Sequence, residues 1–225
     1  MNWQSDKDKW WNTPQRIDSI KKLMSEIDFS GARIADLACR NGFYSFKALQ
    51  KGSSFIRGID VDHESIQLAN QNFQERNVNS KLYLFEEGDL FEAKTENTDI
   101  ILLLGILYHI RDQLKLLRKC REANCRVLLE TRFLMDDDQH PILRTEKMPN
   151  LSNETVGNPH HTSIGDGWYN SYVPNKNLLY QLVDKAGFHA KCVPHQDMGR
   201  ISLVLTPTHS PVGDNTKTAE NLSVL

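Results

Sequence analysis

"DLACRNGFYSF", residues 36–46, follows an apolar run and leads into a stretch whose composition predicts a helix. The acidic Asp36 stands near the end of the predicted strand, and Gly42 stands where the helix should begin. Glycine accepts a positive φ and lets a ligand approach the backbone closely. Loops of this kind that bind nucleotides usually carry three glycines, whereas Ala38 and Arg40 fill the other two places here. By itself, therefore, this loop is only weak evidence for a cofactor site.

Apolar runs that predict strands alternate along the chain with amphipathic stretches that predict helices. The predicted strands cover residues 32–38, 54–60, 81–89, 99–107 and 126–133, followed by a closing hairpin over 189–195 and 200–207 with its turn at 197–199. Helices are predicted at 12–28, from Phe43 onward, and at 64–77, 113–123 and 175–187. This order predicts an α/β, Rossmann-like fold with a seven-stranded, mostly parallel sheet, an antiparallel terminal hairpin and helices on both faces.

The chain of 225 residues is long enough for one α/β domain with a sizeable core. We predict a single domain over residues 1–207. Within it, residues 135–173 carry three prolines and many polar residues, which is typical of an insertion or a lid over a site. Residues 208–225 are predicted to form a flexible C-terminal tail.

Composition limits the classes of partner and compartment. A formal net charge of −2 does not provide the excess of positive charge that general binding of nucleic acid requires. The longest apolar run, 99–110, is about half of the ~20 residues that a membrane span needs. The four cysteines form no CxxC pair, which favours reduced thiols. These features predict a soluble, cytoplasmic chain that does not enter a membrane, and they leave its oligomeric state open.

Polar residues stand at the ends of the next predicted strands. Ligands of open parallel sheets bind beyond the carboxyl ends of the strands, where the strand order reverses. Asp60 ends the second strand, 24 residues after Asp36, and a carboxylate there can accept both hydroxyls of a ribose. Asp89 follows the third strand and can accept from an adenine amino group, while the Leu90 N–H can donate to a ring nitrogen. The ends of the strands therefore predict a nucleotide cofactor, which this reasoning alone leaves open between NAD and others.

The series DLACRNG, GID, GDL and LLLGILYH, each at a strand end and in this order, resembles the class I S-adenosylmethionine-dependent methyltransferases. The segments LLLGILYHIRD, LLET and GDGWYNSYVPNKNLLYQLVDKAGF are similar to methyltransferases related to the bacterial tRNA wobble-uridine carboxymethyl-transfer enzyme. The resemblance covers roughly residues 10–205. It implies S-adenosyl-L-methionine as the cofactor, with NAD as the rival for the same fold.

The resemblance implies a set of cofactor-binding residues along the strand ends. They are Trp11, Asp36, Ala38, Arg40, Gly42, Phe43, Asp60, Val61, Asp89, Leu90, Leu104 and Gly105. Two of these assignments have alternatives. Arg40 either pairs with the carboxylate of the methionine moiety or is simply exposed. Trp11, with Trp10 beside it, either covers the site as an aromatic lid or packs in the core.

The residues that follow the fourth strand are the candidates for chemistry. Methyl transfer needs alignment and exclusion of water, and a hydroxyl or ammonium acceptor also needs a base. His109 is the candidate base and Tyr108 a second catalytic or acceptor-orienting residue; a purely structural His109 is the alternative. Predicted acceptor-binding residues are Tyr108, Glu130, Arg132, His140, His160, His161, Trp168 and Tyr169. The motifs MDDDQH and NPHH are interpreted as solvated loops, so we expect no metal.

Three functions are compatible with these observations. The first is methyl transfer to an oxygen or nitrogen of a small-molecule metabolite or natural product, and the near-neutral charge favours it. The second is modification of RNA, at the tRNA wobble uridine, although the chain lacks the basic surface that phosphate contacts require. The third is a non-catalytic, cofactor-binding regulatory protein.

Overall fold

The computed structural model describes residues 13–135, 139–149, 163–164, 168–195 and 199–208. The helices in these ranges are α1 (Pro14–Ser25), α2 (Phe43–Gln50), α3 (His63–Glu75), α4 (Gln113–Glu122) and α5 (Lys176–Lys185), with 3₁₀ helices at Ser80–Leu82 and Leu107–His109. The strands are β1 (Arg33–Leu37), β2 (Phe55–Asp60), β3 (Tyr83–Glu87), β4 (Ile100–Leu104), β5 (Arg126–Arg132), β6 (Leu143–Pro149), β7 (Ser163–Ile164), β8 (Trp168–Pro174), β9 (Phe188–Cys192) and β10 (Arg200–Pro207). None of the helices within these ranges is both long and apolar enough to cross a membrane.

Seven strands form the main sheet in the order β3-β2-β1-β4-β5-β10-β9. Strands β1 to β5 are parallel, and β10 runs antiparallel to both β5 and β9. The predicted Rossmann-like fold with a terminal hairpin is therefore confirmed. Because the chain crosses from β3 to β4 on the far side of β1, the strand order reverses between β1 and β4, and this is where open sheets bind their ligands.

Both faces of the sheet are covered by helices. In the central strand β4, Ile101 and Leu103 face a core that contains Leu116 and Leu117 of α4 and Leu179 of α5. Their neighbours Ile100 and Leu102 face the opposite core, which α1, α2 and α3 build from Ile20, Leu23, Ala48, Ala69 and Phe73. Successive residues of a strand point to opposite faces. This is why the apolar run of β4 shows no alternation with polar residues.

The helix boundaries follow local capping chemistry. The hydroxyl of Thr13 accepts a hydrogen bond from the N–H of Arg16 at 3.2 Å, and Pro14 occupies the first turn of α1. The carboxylate of Asp112 caps α4 by accepting from the N–H of Lys115 at 3.0 Å. Each cap satisfies a donor that the helix leaves without a partner. Gly187, with φ +84°, follows α5 in the left-handed conformation that favours glycine at the end of a helix.

The segment predicted as an insertion, residues 135–173, contains regular structure. Its described residues form a second, antiparallel sheet in the order β6-β8-β7. The strands lacked a recognisable pattern because β6 is largely polar and exposed, and because adjacent residues of β8, Ser171 to Val173, are all buried. Asn175 ties this sheet to α5, since its Oδ1 accepts from the N–H groups of Ile142 and Leu178, both at 3.0 Å. The role of a lid stays a prediction, and residues 209–225 of the predicted tail lie outside the described residues.

Candidate functional site

The loop after β1 keeps the left-handed backbone of a glycine-rich loop with a single glycine. Ala38 has φ 65°, Arg40 has φ 51° and Gly42 has φ 75°. A left-handed conformation costs a residue with a Cβ about 1–2 kcal/mol. At Gly42 a side chain is excluded by packing as well, because an added Cβ would lie 3.1 Å from the ring of Phe85. The loop therefore requires its one glycine and imposes strain at the two other positions.

The end of β2 holds this loop in place. The buried carboxylate of Asp60 accepts from the N–H of Arg40 at 2.8 Å through Oδ2 and from the N–H of Asp62 at 3.0 Å through Oδ1. The carbonyl of Ile59 accepts from the N–H groups of Ala38 and Cys39 at 2.8 and 3.0 Å. A carboxylate has about four lone-pair sites, so these two contacts with backbone N–H groups leave acceptor capacity on Asp60 for a ligand.

A second carboxylate, Asp36, lies beneath the first turn of α2. It is 3% exposed and accepts from the hydroxyl of Ser45 at 2.5 Å. Burial raises the pKa of Asp36 to about 7, and the negative charge of Asp60 adds to the shift, whereas the hydrogen bond from Ser45 opposes it. Burial also raises the pKa of Asp60, although Arg40 and the two backbone N–H groups oppose it. Two buried acids thus lie under the loop.

The end of β3 lies beside the end of β2. Glu87 pairs with Asp60 in the parallel register, and the N–H of Gly88 donates to the carbonyl of Asp60 at 2.9 Å. Beyond it, the half-buried Asp89 accepts from the N–H of Phe91 at 2.9 Å. Leu90 is buried, and Val61 is half-buried immediately after Asp60. The predicted ribose and adenine residues therefore share one edge of the sheet.

Beyond the end of β4, Gly105 lies against a buried arginine that the sequence analysis missed. Gly105 has φ +81°, and its N–H donates to the carbonyl of Glu130 at 2.8 Å. A Cβ on Gly105 would collide with Nη2 of Arg16, which comes from α1. The same nitrogen lies 3.5 Å from the carbonyl oxygen of Leu104.

We expect Gly105→Ala to lower the free energy of unfolding by about 2–4 kcal/mol, because it adds left-handed strain and displaces Arg16 from a buried ion pair. Urea denaturation measures this loss. Gly31→Ala is the matched control, since Gly31 has φ +70° and nothing within 4 Å of an added Cβ. If both variants lose the same stability, the guanidinium of Arg16 moves aside without cost.

Glu130 is the centre of a buried ionic cluster. Its side chain is fully buried and accepts from Nη2 of Arg16 at 3.0 Å and from Nη1 of Arg200 at 2.5 Å. Burial would raise the pKa of Glu130, but the charges and hydrogen bonds of Arg16 and Arg200 outweigh it and hold the pKa below its ordinary value. Glu130 was predicted to bind the acceptor, and the structure places its carboxylate between these two arginines. Its direct contact with an acceptor stays a prediction.

One signal in the sequence pointed to Arg16. It occupies the apolar face of α1, four residues before Ile20 and seven before Leu23, where a charged residue needs a buried partner. Arg200 carried no comparable signal, because it begins a strand next to a turn. Its partnership with Glu130 depends on the pairing of β10 with β5.

Tyr108 and His109 form the 3₁₀ helix that follows β4. Tyr108 is 8% exposed and His109 is half-buried, and their ring centroids are 4.2 Å apart. The guanidinium carbons of Arg200 and Arg132 lie 5.5 and 5.7 Å from the centroid of the Tyr108 ring. Nη2 of Arg200 is also 3.5 Å from the Tyr108 hydroxyl oxygen. Tyr108, Glu130 and Arg132, predicted from three separate sequence positions, are therefore neighbours.

The second sheet is attached to this same segment. Nη2 of Arg132 pairs with Oε2 of Glu146 on β6 at 2.8 Å. The amide of Gln113 donates to the carbonyl of Tyr172 on β8 at 2.7 Å and to the carbonyl of Leu107 at 3.2 Å. The insertion therefore lies beside the predicted catalytic residues.

The remaining predicted site residues are placed less centrally or are not described. His140 is exposed at the base of the insertion, where its carbonyl accepts from Nδ2 of Asn175 at 2.7 Å. Trp168 and Tyr169 begin β8, and their backbones pair with β6 and β7. Trp11, His160 and His161 lie outside the described residues. Among the residues that the structure describes, no group of three or more His, Cys, Asp or Glu side chains is arranged to hold a metal.

Comparisons with known proteins identify the family. A family model described as "Methyltransferase domain" matches residues 28–187. A ubiquinone biosynthesis O-methyltransferase of Neisseria meningitidis is 26% identical over 125 residues, covering 50% of this chain and 51% of that protein. A tRNA U34 carboxymethyltransferase of Campylobacter concisus is 32% identical over 137 residues, covering 57% of this chain and 46% of that protein. The chain thus matches about half the length of these curated relatives.

The fold is shared with solved methyltransferases. The crystal structure of magnesium protoporphyrin IX methyltransferase from Synechocystis, solved with bound S-adenosylmethionine, has a TM-score of 0.58 at 15% identity and covers 84% of this chain and 76% of its own. The family match spans β1 to α5, which includes the left-handed loop and the strand ends around it. The chain belongs to the class I S-adenosylmethionine-dependent methyltransferase family.

Proposed function

We propose that this protein transfers the methyl group of S-adenosylmethionine to an oxygen or nitrogen of a small molecule. The observation that carries the proposal is the left-handed loop at Ala38, Arg40 and Gly42, fixed by the carboxylate of Asp60. Its position at the reversal of strand order is where a nucleotide-like donor binds in this architecture. Asp60 accepts the ribose hydroxyls, and the segment of Asp89 and Leu90 receives the adenine.

The charged groups under the loop complement those of S-adenosylmethionine. S-adenosylmethionine carries a sulfonium and an ammonium group, both cationic. Asp60 provides a buried carboxylate under the loop, and a cation bound nearby would also favour the ionised form of the buried Asp36. The first N–H groups of α2, from Phe43 onward, lie at the same point and suit the carboxylate of the methionine moiety.

The acceptor is proposed to lie between the 3₁₀ helix and the second sheet. The hydrogen bond from Gln113 to Tyr172 holds β8 beside Tyr108 and His109, and the ion pair of Arg132 with Glu146 holds β6 there. A sheet that covers this edge favours a compact acceptor and excludes water from the transfer. His109 is the proposed base, and Tyr108 orients the acceptor.

A second candidate is modification of tRNA, because the relatives include tRNA U34 carboxymethyltransferases. The net charge of −2 opposes it, since phosphate contacts need lysines and arginines in excess along a surface. Arg16, Arg132 and Arg200 do not supply such a surface, because each is paired with a glutamate within the described structure.

The test is formation of S-adenosylhomocysteine from S-adenosylmethionine in the presence of different acceptors. We expect turnover with fractions of small metabolites and none with tRNA that lacks wobble modification. Turnover with tRNA that weakens steeply as salt increases would favour methyl transfer to tRNA. Carboxymethyl transfer would need a donor that carries a carboxymethyl group in place of the methyl group. Tight donor binding without turnover in any fraction would favour a regulatory protein.

A further inference from the structure

A buried asparagine on α3 contacts the left-handed loop from below. Asn72 is 0% exposed, and its Nδ2 donates to the carbonyl of Asn41 at 3.2 Å. Asn41 itself is buried and lies between Arg40 and Gly42, the two residues with the left-handed φ values of 51° and 75°. The hydrogen bond therefore reaches the loop at the peptide unit between Asn41 and Gly42, next to both left-handed positions.

The amide of Asn72 is buried among apolar side chains. Its neighbours on the inner side of α3 are the buried apolar residues Ile66, Ala69 and Phe73. Asparagine has a low helix propensity, and burial of an amide costs free energy unless the amide is hydrogen-bonded. Arg76 completes the arrangement, because its Nη1 lies 3.3 Å from Oδ1 of Asn72 and 2.8 Å from the Asn72 carbonyl. Departures of this kind from local preference tend to mark functional positions.

The loop has a physical need for such contacts. A loop with three glycines adopts left-handed φ values without steric cost, whereas Ala38 and Arg40 carry a Cβ. The strained course must therefore be imposed by partners outside the loop. Asp60 acts on one side, through the N–H of Arg40, and Asn72 acts on the other, through the carbonyl of Asn41.

We propose that Asn72 is a positioning residue of the donor site, which takes over part of the role of the absent glycines by fixing the peptide between Asn41 and Gly42. The inference rests on the proposed binding of S-adenosylmethionine at this loop. Asn72 acts through Asn41 and does not itself touch the donor. Its removal changes donor affinity because the loop relaxes from the conformation that the donor requires.

The experiment is calorimetric titration of the full chain with S-adenosylhomocysteine. We expect Asn72→Leu to raise Kd by about tenfold, because the Asn41 carbonyl loses a buried donor. Asn70→Leu is the matched control on the same helix, since Nδ2 of Asn70 donates to the carbonyl of Ile66 within α3. Its Kd should stay within about twofold of that of the unaltered protein, as a side chain bonded within its own helix does not support the loop.

A rescue distinguishes positioning of the loop from a loss of stability. Asn72→Leu is therefore also made in an Arg40→Gly background, so that any contact of the Arg40 side chain with the donor is absent from both proteins compared. We expect Asn72→Leu to raise Kd much less in this background, because glycine takes the left-handed conformation without strain. Unchanged affinity in Asn72→Leu, or an equally large loss in the Arg40→Gly background, overturns the proposal.

A second variant covers the case in which Asn72→Leu does not fold. Asn72→Asp keeps the shape of the side chain and the acceptor for Arg76, but it replaces the donating nitrogen with an oxygen. It should weaken binding at least as much as Asn72→Leu, and wild-type affinity in Asn72→Asp overturns the proposal. If the unaltered protein itself binds no S-adenosylhomocysteine, the proposed donor site fails instead, which separates the two hypotheses.

Discussion

Replacement of Asp60 by alanine is expected to weaken the binding of S-adenosylmethionine by about 1.5–3 kcal/mol, or roughly 10- to 150-fold in Kd. The carboxylate has two roles that alanine cannot fill. It accepts from the N–H groups of Arg40 and Asp62 at 2.8 and 3.0 Å, and it is proposed to accept the ribose hydroxyls with its remaining lone pairs. Calorimetric titration with the donor or with S-adenosylhomocysteine measures the change.

Asp99→Ala is the matched control for this prediction. Oδ2 of Asp99 accepts from the N–H of Arg33 at 2.8 Å, so the control also removes a carboxylate bonded to the backbone. Asp99 and Arg33 lie at the opposite edge of the sheet, where β1 and β4 begin, and donor affinity should not change there. Equal Kd values for Asp60→Ala and the unaltered protein would remove Asp60 from the donor site.

The strands of the main sheet could be predicted from the sequence, because a strand that is buried on both faces is a continuous apolar run. The continuous apolar run from Ile100 to Leu104 is typical of a central strand of a covered sheet, and the polar residues after such strands meet at one edge of the sheet. The caps Thr13 and Asp112 are equally local, since each accepts from an N–H only three positions further along the chain. These features are local, or they follow from the order of the strands alone.

The parts that the sequence analysis missed depend on contacts between distant residues. Arg16 meets Glu130 across 114 positions, and Arg200 meets the same carboxylate across 70. The second sheet owes its pairing to β8 and not to any pattern within β6. The left-handed conformation of Arg40 was not foreseen either, because side-chain identity predicts the opposite. It became understandable once Asp60 and Asn72 were seen to hold the loop from outside.

The predicted base gives the other large expected effect. We expect His109→Ala to lower kcat by at least about tenfold, because general-base assistance is typically worth about 10²–10⁴ in rate. His109 ends the 3₁₀ helix after β4, next to Tyr108 and to the strand end where the transferable methyl group is proposed to lie. The affinity for S-adenosylmethionine should stay nearly unchanged, since the predicted donor contacts at the ends of β1, β2, β3 and β4 do not include the side chain of His109. Steady-state kinetics with an acceptor found by the turnover assay separate kcat from donor binding.

His189→Ala is the control, because His189 is exposed on β9 at the far end of the sheet and should affect neither quantity.

The alternative to a base is a structural His109. It predicts full kcat for His109→Ala in the folded protein, with a loss confined to thermal stability. That result would leave alignment by Tyr108 as the source of catalysis. Tyr108→Phe would then lower kcat more than His109→Ala does, since it removes the hydroxyl 3.5 Å from Arg200 while keeping the ring between its neighbours. The relative size of these two losses therefore assigns the chemistry to the imidazole or to the phenol.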